Sequence, residues 1–539
     1  MPFLAQSHIP IPTQDLLSWM FDNPQYDVDM PIYIDAANPQ NSISNRQAKL
    51  MIRKMAAGFK KAGLQKGDVV CVHSFNDIYY PIAFLGIIAA GGIFAGTNPS
   101  YTPYEISHAI RTAQIKFFIC EPEVMKNVLT ASETCGIPKK NVFVFNSRGQ
   151  SVPAGFESWT SLMSQGETDW ERFNDKYTCE STPVARLFSS GTTGLPKALD
   201  TTHYNFIAQH TLVVEHRPRP YPLRRLVCNP LFHVSQAPRV HTSALRSGIT
   251  TYIMRRFELE PWLKNVERYE ITELNFVPMM VITVLSSGLA TKSTFRSIRS
   301  ASSGAAPLDK ALQQRFQQYL ADDVPFSQVW GMSETSCIAT MFYYPEYDDT
   351  GSVGRFIPNC DAKLVDDNGN DVSRPGIRGE LCVRGPIVIR GYFNNPKANQ
   401  ESWDEDGYFH TGDIGYCTED LMFYIVDRKK ELIKVRGFQV APPELEAVLL
   451  EHPNIIDAAV IGVQRGSEES ELPRAYVVLR SGTSASESEV RDFSSARLAR
   501  FKNLDGGVQF VESIPKNASG KILKNQLREW AKKEMRARL

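Results

Sequence analysis

Between Phe188 and Lys197 the chain reads Phe188-Ser189-Ser190-Gly191-Thr192-Thr193-Gly194-Leu195-Pro196-Lys197, which gathers four hydroxyls, two glycines and a lysine behind the apolar run Ala185 to Phe188. Glycine lets backbone N–H groups converge on an anion without steric cost, hydroxyls add neutral donors, and an ammonium neutralises charge. This is the chemistry of a phosphate cradle. It is not a Walker A loop, because only two residues separate the glycines and no Ser or Thr follows the lysine. A flexible Ser/Gly/Thr linker has the same composition, so residues elsewhere must decide. Among these are Trp330 and Glu334, Asp413, the cluster Asp427-Arg428-Lys429-Lys430, and Lys521 in a basic terminal stretch with Lys516, Lys524 and Arg528. Singly, each such charge is ordinarily a solvated surface group.

Residues of this kind need rigid elements to aim them. Ser44 to Gln47 has capping-box spacing, and Ala48, Met51, Ile52, Met55, Phe59 and Ala62 then recur at helical spacing until Gly63. A strand is expected at Val69 to Val72, a helix capped by Thr102-Pro103-Tyr104-Glu105, and a strand at Ile115 to Cys120. Continued alternation implies parallel strands with crossover helices on both faces, a doubly wound α/β architecture whose ligands sit beyond the strand C-termini. The apolar run Ile78 to Gly96 approaches membrane-spanning length but is interrupted by Pro81, Gly86, Gly91, Gly92 and Gly96. It predicts a buried helix, a turn and a strand, and no transmembrane segment.

Around Asp366 to Gly385, short β-rich pieces separated by Asp-Asn-Gly and Arg-Pro-Gly turns predict a small barrel or meander. The charge cluster at Asp427 separates the apolar runs Leu421 to Val426 and Leu432 to Val435, and a compact αβ pattern restarts after it. A domain boundary is placed there, giving units 1–427 and 428–539. The second has a helix near Pro443 to Glu451, strands at Ile455 to Val463, Ala475 to Leu479 and Val508 to Val511, and a basic terminal helix, enough for its own core.

A length of 539 residues, with 42% apolar and 22% charged residues, describes a large globular protein of several units. Lys plus Arg and Asp plus Glu both total 59, so no global basic field exists to draw in nucleic acid or anionic lipid. Any bound anion must be held locally. Nine cysteines without a CxxC pair predict reduced thiols rather than a disulfide framework or zinc ribbon. The N-terminal stretch shows neither a secretory signal nor an arginine-rich transit peptide. The C-terminal Ala537-Arg538-Leu539 is a relaxed form of the Ser-Lys-Leu tripeptide, which predicts the peroxisomal import receptor as partner and a peroxisomal location, otherwise a cytoplasmic one.

The loop at Ser189 resembles the signature of the AMP-forming adenylating enzymes, the superfamily of acyl-CoA synthetases, nonribosomal peptide adenylation domains and firefly luciferase. Further segments agree with it in order: Ser303-Gly304-Ala305-Ala306-Pro307-Leu308, Gln328-Val329-Trp330-Gly331-Met332-Ser333-Glu334-Thr335, and Tyr408-Phe409-His410-Thr411-Gly412-Asp413. Two more are Asp427 to Val440 and Pro515-Lys516-Asn517-Ala518-Ser519-Gly520-Lys521-Ile522-Leu523. The whole chain is most similar to the coumarate CoA ligase and luciferase branch. The resemblance implies a large N-terminal domain of two doubly wound sheets plus a small β-barrel, with a small mobile α+β C-terminal domain.

It also implies a reaction. A carboxylate is a poor electrophile and must first gain a leaving group, so the acid attacks the α-phosphorus of ATP, pyrophosphate departs, and the acyl adenylate yields to the thiol of coenzyme A. By the same resemblance Ser189, Ser190, Gly191, Thr192, Thr193, Gly194 and Lys197 hold the departing phosphates, and Glu334 ligates Mg²⁺. Trp330 and Gly331, with Gly304, Ala305 and Ala306, enclose the adenine; Ser333 serves the α-phosphate, and Asp413 with Arg428 the ribose. Tyr and Thr are commoner in the family at the Trp330 and Ser333 positions, but the aromatic face and the hydroxyl are kept. Lys521 bridges the attacking carboxylate and phosphate oxygens. Lys430 is the implied hinge about which the C-terminal domain turns, withdrawing Lys521 and bringing in Lys434, Gly437 and Gln439 for coenzyme A.

In Asn229-Pro230-Leu231-Phe232-His233, His233 matches the family's gate near the reacting carboxylate. The acyl pocket then departs from the plant coumarate ligases, with Ser235 in place of tyrosine and with Arg239 and His241 beyond; Gly331, Cys337 and Ile338 leave it small or apolar. An aryl or medium-length aliphatic acid is expected. A buried unpaired guanidinium is expensive, so Arg239 must meet an internal anion, face water, or read a second carboxylate or polar terminus on the acid. Rival readings are a luciferase-like oxygenase or stand-alone adenylating enzyme, a nonribosomal adenylation domain, which would carry an aspartate where Ser235 stands, and an idle adenylate-binding scaffold.

Overall fold

The structure is a computed structural model that describes the chain except residues 190–195, 430, 436–437, 465–470, 499, 518–519 and 538–539, and describes only the backbone of residues 434, 438–439, 501 and 535–537. The local signals lead to the expected elements. Ser44 and Gln47 exchange a capping box at the start of the helix Asn45–Lys61, which buries Ala48, Ile52, Met55 and Phe59. Thr102 and Glu105 do the same for Pro103–Ala113. The apolar run resolves into the wholly buried helix Tyr80–Ala89, a glycine turn and the buried strand Ile93–Gly96. No helix among the described residues is long and apolar enough to cross a membrane.

Two seven-stranded sheets dominate. In one, Glu157–Ser158, Val142–Val144, Ile115–Cys120, Val69–His73, Ile93–Gly96 and Pro183–Ser189 run parallel. The edge strand Lys197–Thr202 returns antiparallel, because the seven residues joining it to Pro183–Ser189 are too few for a crossover, which takes about a dozen. The other sheet runs Phe326–Gln328, Ser300–Ser303, Glu273–Phe276, Arg224–Val227, Thr250–Ile253 and Pro31–Asp35, with Ser42–Ser44 as its antiparallel edge. Strictly parallel sheets were the expectation; short connections reverse one edge of each.

The turn-rich stretch folds as an antiparallel meander of Asp361–Val365, Gly379–Arg384, Phe409–Cys417 and Phe423–Arg428. Single bridges, Phe3 to Ala362 and Gly354 to Phe423, extend its outer strands. Beyond it, Ile455–Val463, Leu472–Leu479 and Gly507–Phe510 form a three-stranded sheet packed by helices Pro442–Leu450, Glu487–Ser495 and Lys524–Ala537. Val440, Leu445, Val460 and Val477 belong to a core of its own. The largest core joins both big sheets: Phe84 and Phe94 continue into Leu231, Val234 and Val240, which fixes the turn carrying His233 between apolar anchors. At Gly96 a β-carbon would stand 2.8 Å from Cβ of Phe232, so the two sheets meet there at a distance only glycine allows.

Candidate active site

Antiparallel pairing places Ser189 opposite Lys197, so the two ends of the hydroxyl-rich loop are pinned side by side. Ser190, Gly191, Thr192, Thr193 and Gly194 themselves lie outside the described residues. Ser189 lines a cavity shared with His233, Ser333, Glu334, Arg428 and Lys521, and its buried Oγ has no partner among the described residues. A buried hydroxyl of that kind is ordinarily satisfied by a ligand or water. Lys197 places Nζ 4.3 Å from the centre of the Tyr392 ring, and the Tyr392 hydroxyl donates to Oε1 of Glu334 at 2.9 Å. Tyr392 therefore ties the loop lysine to the proposed metal ligand, a link that no motif rule singled out.

Glu334 is buried on the short turn Ser333–Thr335 that follows the strand Trp330–Met332. Among the described residues no group of three or more His, Cys, Asp or Glu side chains could hold a metal. A lone carboxylate with one oxygen engaged by Tyr392 suits an ion such as Mg²⁺, which keeps waters and phosphate oxygens rather than requiring a protein cage.

Residues expected to hold the nucleotide converge in an adjoining cavity lined by Ala305, Ala306, Trp330, Gly331, Asp413, Arg428 and Lys521. Cross-strand register sets Asp413 opposite Arg428, whose Nε lies 3.4 Å from Oδ1. The other oxygen, Oδ2, accepts a bond from Trp330 Nε1 at 2.8 Å. An indole N–H buried beside a ligand face needs an acceptor, and here it takes the residue expected to hold the ribose. Gly304 is held by its N–H to the Phe276 carbonyl, and Ala305 adopts φ +71°, a left-handed conformation costing a non-glycine residue roughly 1–2 kcal/mol. Strain of this kind concentrates at ligand sites.

Lys521 reaches both cavities from the C-terminal unit. Burial, reinforced by the neighbouring Arg428, lowers its ammonium from the usual 10.5 to about 8, although Asp413, Glu431 and Asp427 pull the other way. Around it, Lys524 lies 3.5 Å from Glu446 and Arg528 meets Glu431 at 2.6 Å within the C-terminal unit, while Lys524 also lies 4.0 Å from Asp427 at the boundary. Burial raises Asp427 to about 6 despite Lys524.

The acyl side is built on the second sheet. Burial lowers His233 to about 4, so the ring is neutral at pH 7. The Ser235 backbone N–H donates to its Nδ1 at 3.2 Å, which leaves the proton on Nε2. His233 is thus a hydrogen-bond donor rather than a base. Ser235, Gly331, Cys337 and Ile338 line the same cavity. Gly331 pairs with Ile338, and a β-carbon on it would stand 1.7 Å from the Cys337 carbonyl oxygen, so only glycine fits that wall. Arg239 also faces the cavity, and of the anions considered for it the structure supplies an internal one: Nη2 bonds Oε2 of Glu273 at 2.8 Å. Glu273 lies on a strand distant in sequence, which no local pattern exposes.

Of the residues expected to serve coenzyme A and the hinge, Lys430 and Gly437 lie outside the described residues, as do Arg538 and Leu539 of the terminal tripeptide. Lys434 and Gln439 sit on the ribbon Ile433–Val435 and Phe438–Val440, paired with each other, and their side chains are not described.

One cleft therefore joins a phosphate-loop base, a buried carboxylate, an aromatic–carboxylate nucleotide face, an apolar pocket and an incoming lysine, the arrangement of a nucleotide-dependent acid-activating enzyme. The AMP-binding enzyme model matches residues 21–393 and the model of the AMP-binding enzyme C-terminal domain residues 444–521, and the chain belongs to this family. It is 52% identical over 534 residues to the phenylacetyl-CoA ligase epaB of Aspergillus niger, covering 98% of this chain and 99% of that one. It is 51% identical over 532 residues to the acyl-CoA ligase azaF of the same species, covering 98% and 100%. ATP-bound MatB from Rhodopseudomonas palustris superimposes with a TM-score of 0.85 at 26% identity, over 96% of this chain and 98% of that one.

Proposed function

We propose that the protein, an AMP-forming acid–CoA ligase, activates an aryl-bearing or comparably compact acid rather than a long fatty acid. The observation that carries this is the single cavity in which His233, Glu334, Arg428 and Lys521 share space with the apolar wall of Val234, Phe276 and Ile338. Similarity to a phenylacetyl-CoA ligase supports the same choice. Thioester formation across aromatic, fatty and dicarboxylic acids tests it: arylacetic or other aryl acids should give the highest kcat/KM, and a best substrate among long fatty acids overturns it. Light emission or oxygen uptake with the same panel would mark the luciferase-like alternative.

In the first half-reaction the neutral His233 donates from Nε2 to orient the substrate carboxylate, and the Lys521 ammonium lies between that carboxylate and the phosphates. A carboxylate oxygen forms the bond to the α-phosphorus as the bond to pyrophosphate breaks. Lys521 supplies positive charge where negative charge concentrates. Ser189 and Lys197 hold the leaving phosphates, Trp330 with Gly304, Ala305 and Ala306 holds the adenine, Ser333 the α-phosphate, and Asp413 with Arg428 the ribose. Glu334 would hold Mg²⁺, which when bound would neutralise phosphate charge. In the second half-reaction the C-terminal unit, residues 428–539, turns about Lys430. Lys434, Gly437 and Gln439 then flank the pantetheine while the thiol displaces AMP from the acyl carbon.

A peroxisomal location is proposed separately, from Ala537-Arg538-Leu539 alone. A fluorescent fusion bearing the native C-terminus should mark peroxisomes and lose them when the tripeptide is removed; unchanged cytoplasmic fluorescence in both overturns it.

A further inference from the structure

Behind the acyl cavity lies a second, smaller chamber of about 70 Å³, room for a handful of waters at roughly 10–15 Å³ each. The two share Arg239, Asn275, Ser302, Val329 and Ile338 as common wall. Its lining is rich in cations. Arg219, Arg225 and Arg239 all line it. Arg225 Nε and Arg239 Nη2 bond the same oxygen of Glu273, at 2.6 and 2.8 Å, so one carboxylate serves two guanidiniums. Burial alone would raise Glu273, yet Arg225, Arg239 and Arg219 together hold it down to about 2. The other carboxylate on the wall, Glu346, is engaged by Arg217 at 3.4 Å and Arg355 at 2.8 Å.

Positive charge is thus left over, and it has a direction. The Arg225 side chain is only 6% exposed, and its Nη1 is buried without a partner among the described residues. Arg219 Nε is likewise buried and unmatched among them. A buried guanidinium N–H with no acceptor is costly and is ordinarily satisfied by an anion or water. We propose that this chamber receives the far end of the substrate acid, and that the end it takes is a second carboxylate, bound by Arg225 beside Arg239 and Arg219. The reacting carboxylate then stays at His233 and Lys521, the body of the acid fills the apolar cavity, and Arg239, held by Glu273, forms the threshold.

This inference rests on the ligase reading above and names the substrate class for the same site. Its test is CoA-thioester formation by the full chain with matched acids of increasing length, one of each pair ending in methyl and the other in carboxylate. At one length the carboxylate-ended acid should have the higher kcat/KM. Arg225→Met should lower that ratio at least about tenfold, chiefly through KM, and Arg225→Lys should restore part of it. A wild-type enzyme that turns over methyl-ended acids and prefers a terminal carboxylate at no length overturns the inference while leaving the ligase reading intact, whatever the variants do. Stimulation of methyl-ended acids by chloride without any such preference assigns the chamber to a free anion and overturns it as well. If no acid releases pyrophosphate, the ligase reading falls and this inference with it.

Discussion

Lys521 carries the sharpest quantitative consequence of the structure. Burial and Arg428 lower its ammonium from 10.5 to about 8 in the nucleotide-free protein, a differential of roughly 3 kcal/mol at 1.36 kcal/mol per unit. If the protonated form is what adenylation requires, about nine-tenths of the free enzyme is competent at pH 7 and about one-tenth at pH 9. Pyrophosphate exchange measured as kcat/KM should therefore fall about tenfold across that interval. Lys521→Arg, whose guanidinium does not titrate there, should lack this alkaline limb even if its rate is low. Thioester formation from supplied acyl adenylate should not share the limb, because the proposed rotation withdraws Lys521 from the cleft before that step. The same shift bears on stability. Between about pH 8 and 10.5 the unfolded chain binds more protons at this residue than the folded one, so stability attributable to it rises with pH through that window. At pH 7 the cost of burying the charge is fully present, and Lys521→Met should melt higher than wild type, with the difference shrinking above pH 8. An alkaline limb that survives in Lys521→Arg would refute the assignment.

Trp330→Phe keeps a ring but removes the bond to Asp413; a bond to a charged acceptor is worth roughly 1.5–3 kcal/mol, so KM for ATP in pyrophosphate exchange should rise about tenfold or more. Tyr392→Phe leaves the aromatic face over Lys197 but takes the donor from Glu334, and the magnesium concentration giving half-maximal exchange should rise several-fold. Gly331→Ala drives a β-carbon to 1.7 Å from the Cys337 carbonyl and should lower the melting temperature by several degrees at least, a loss of a few kcal/mol, with acid turnover lost alongside.

The parts of this site legible in the sequence are those whose chemistry demands particular residue types over a short stretch. Hydroxyls and glycines at Ser189 to Gly194, the Glu334 turn and the Lys521 segment are of that kind. The capped helices were legible for a similar reason, since Ser44 with Gln47 and Thr102 with Glu105 satisfy orphan N–H groups locally. What stayed hidden depends on register and distance. That Asp413 stands opposite Arg428 follows from the pairing of Phe409–Cys417 with Phe423–Arg428, and a one-residue slip would part them. Tyr392, Arg225 and Glu273 carry no local signature, because each acquires its role from a partner dozens of residues away. The antiparallel edges escaped notice because the periodicity of a strand does not report its direction.

On the proposed reading, the depressed Lys521 ammonium also gives lid closure a direction. Without nucleotide, placing the lysine beside Arg428 in a buried cleft opposes its charge, even with Asp413, Glu431 and Asp427 nearby. Triphosphate brings several negative charges to that point, and a ligand favours whichever conformation it binds better by the difference in the two affinities. Closure is therefore driven by the substrate whose phosphates need the cation. Departure of pyrophosphate removes most of that anionic charge while leaving the burial penalty, so the closed lid loses its main electrostatic support just when the acyl adenylate has formed. The ion pairs Lys524–Glu446 and Arg528–Glu431 hold the basic terminal helix to the segment that carries the proposed hinge, so the lysine and its helix can leave as one body. A single titratable group thus couples the chemistry of the first half-reaction to the conformational step that permits the second.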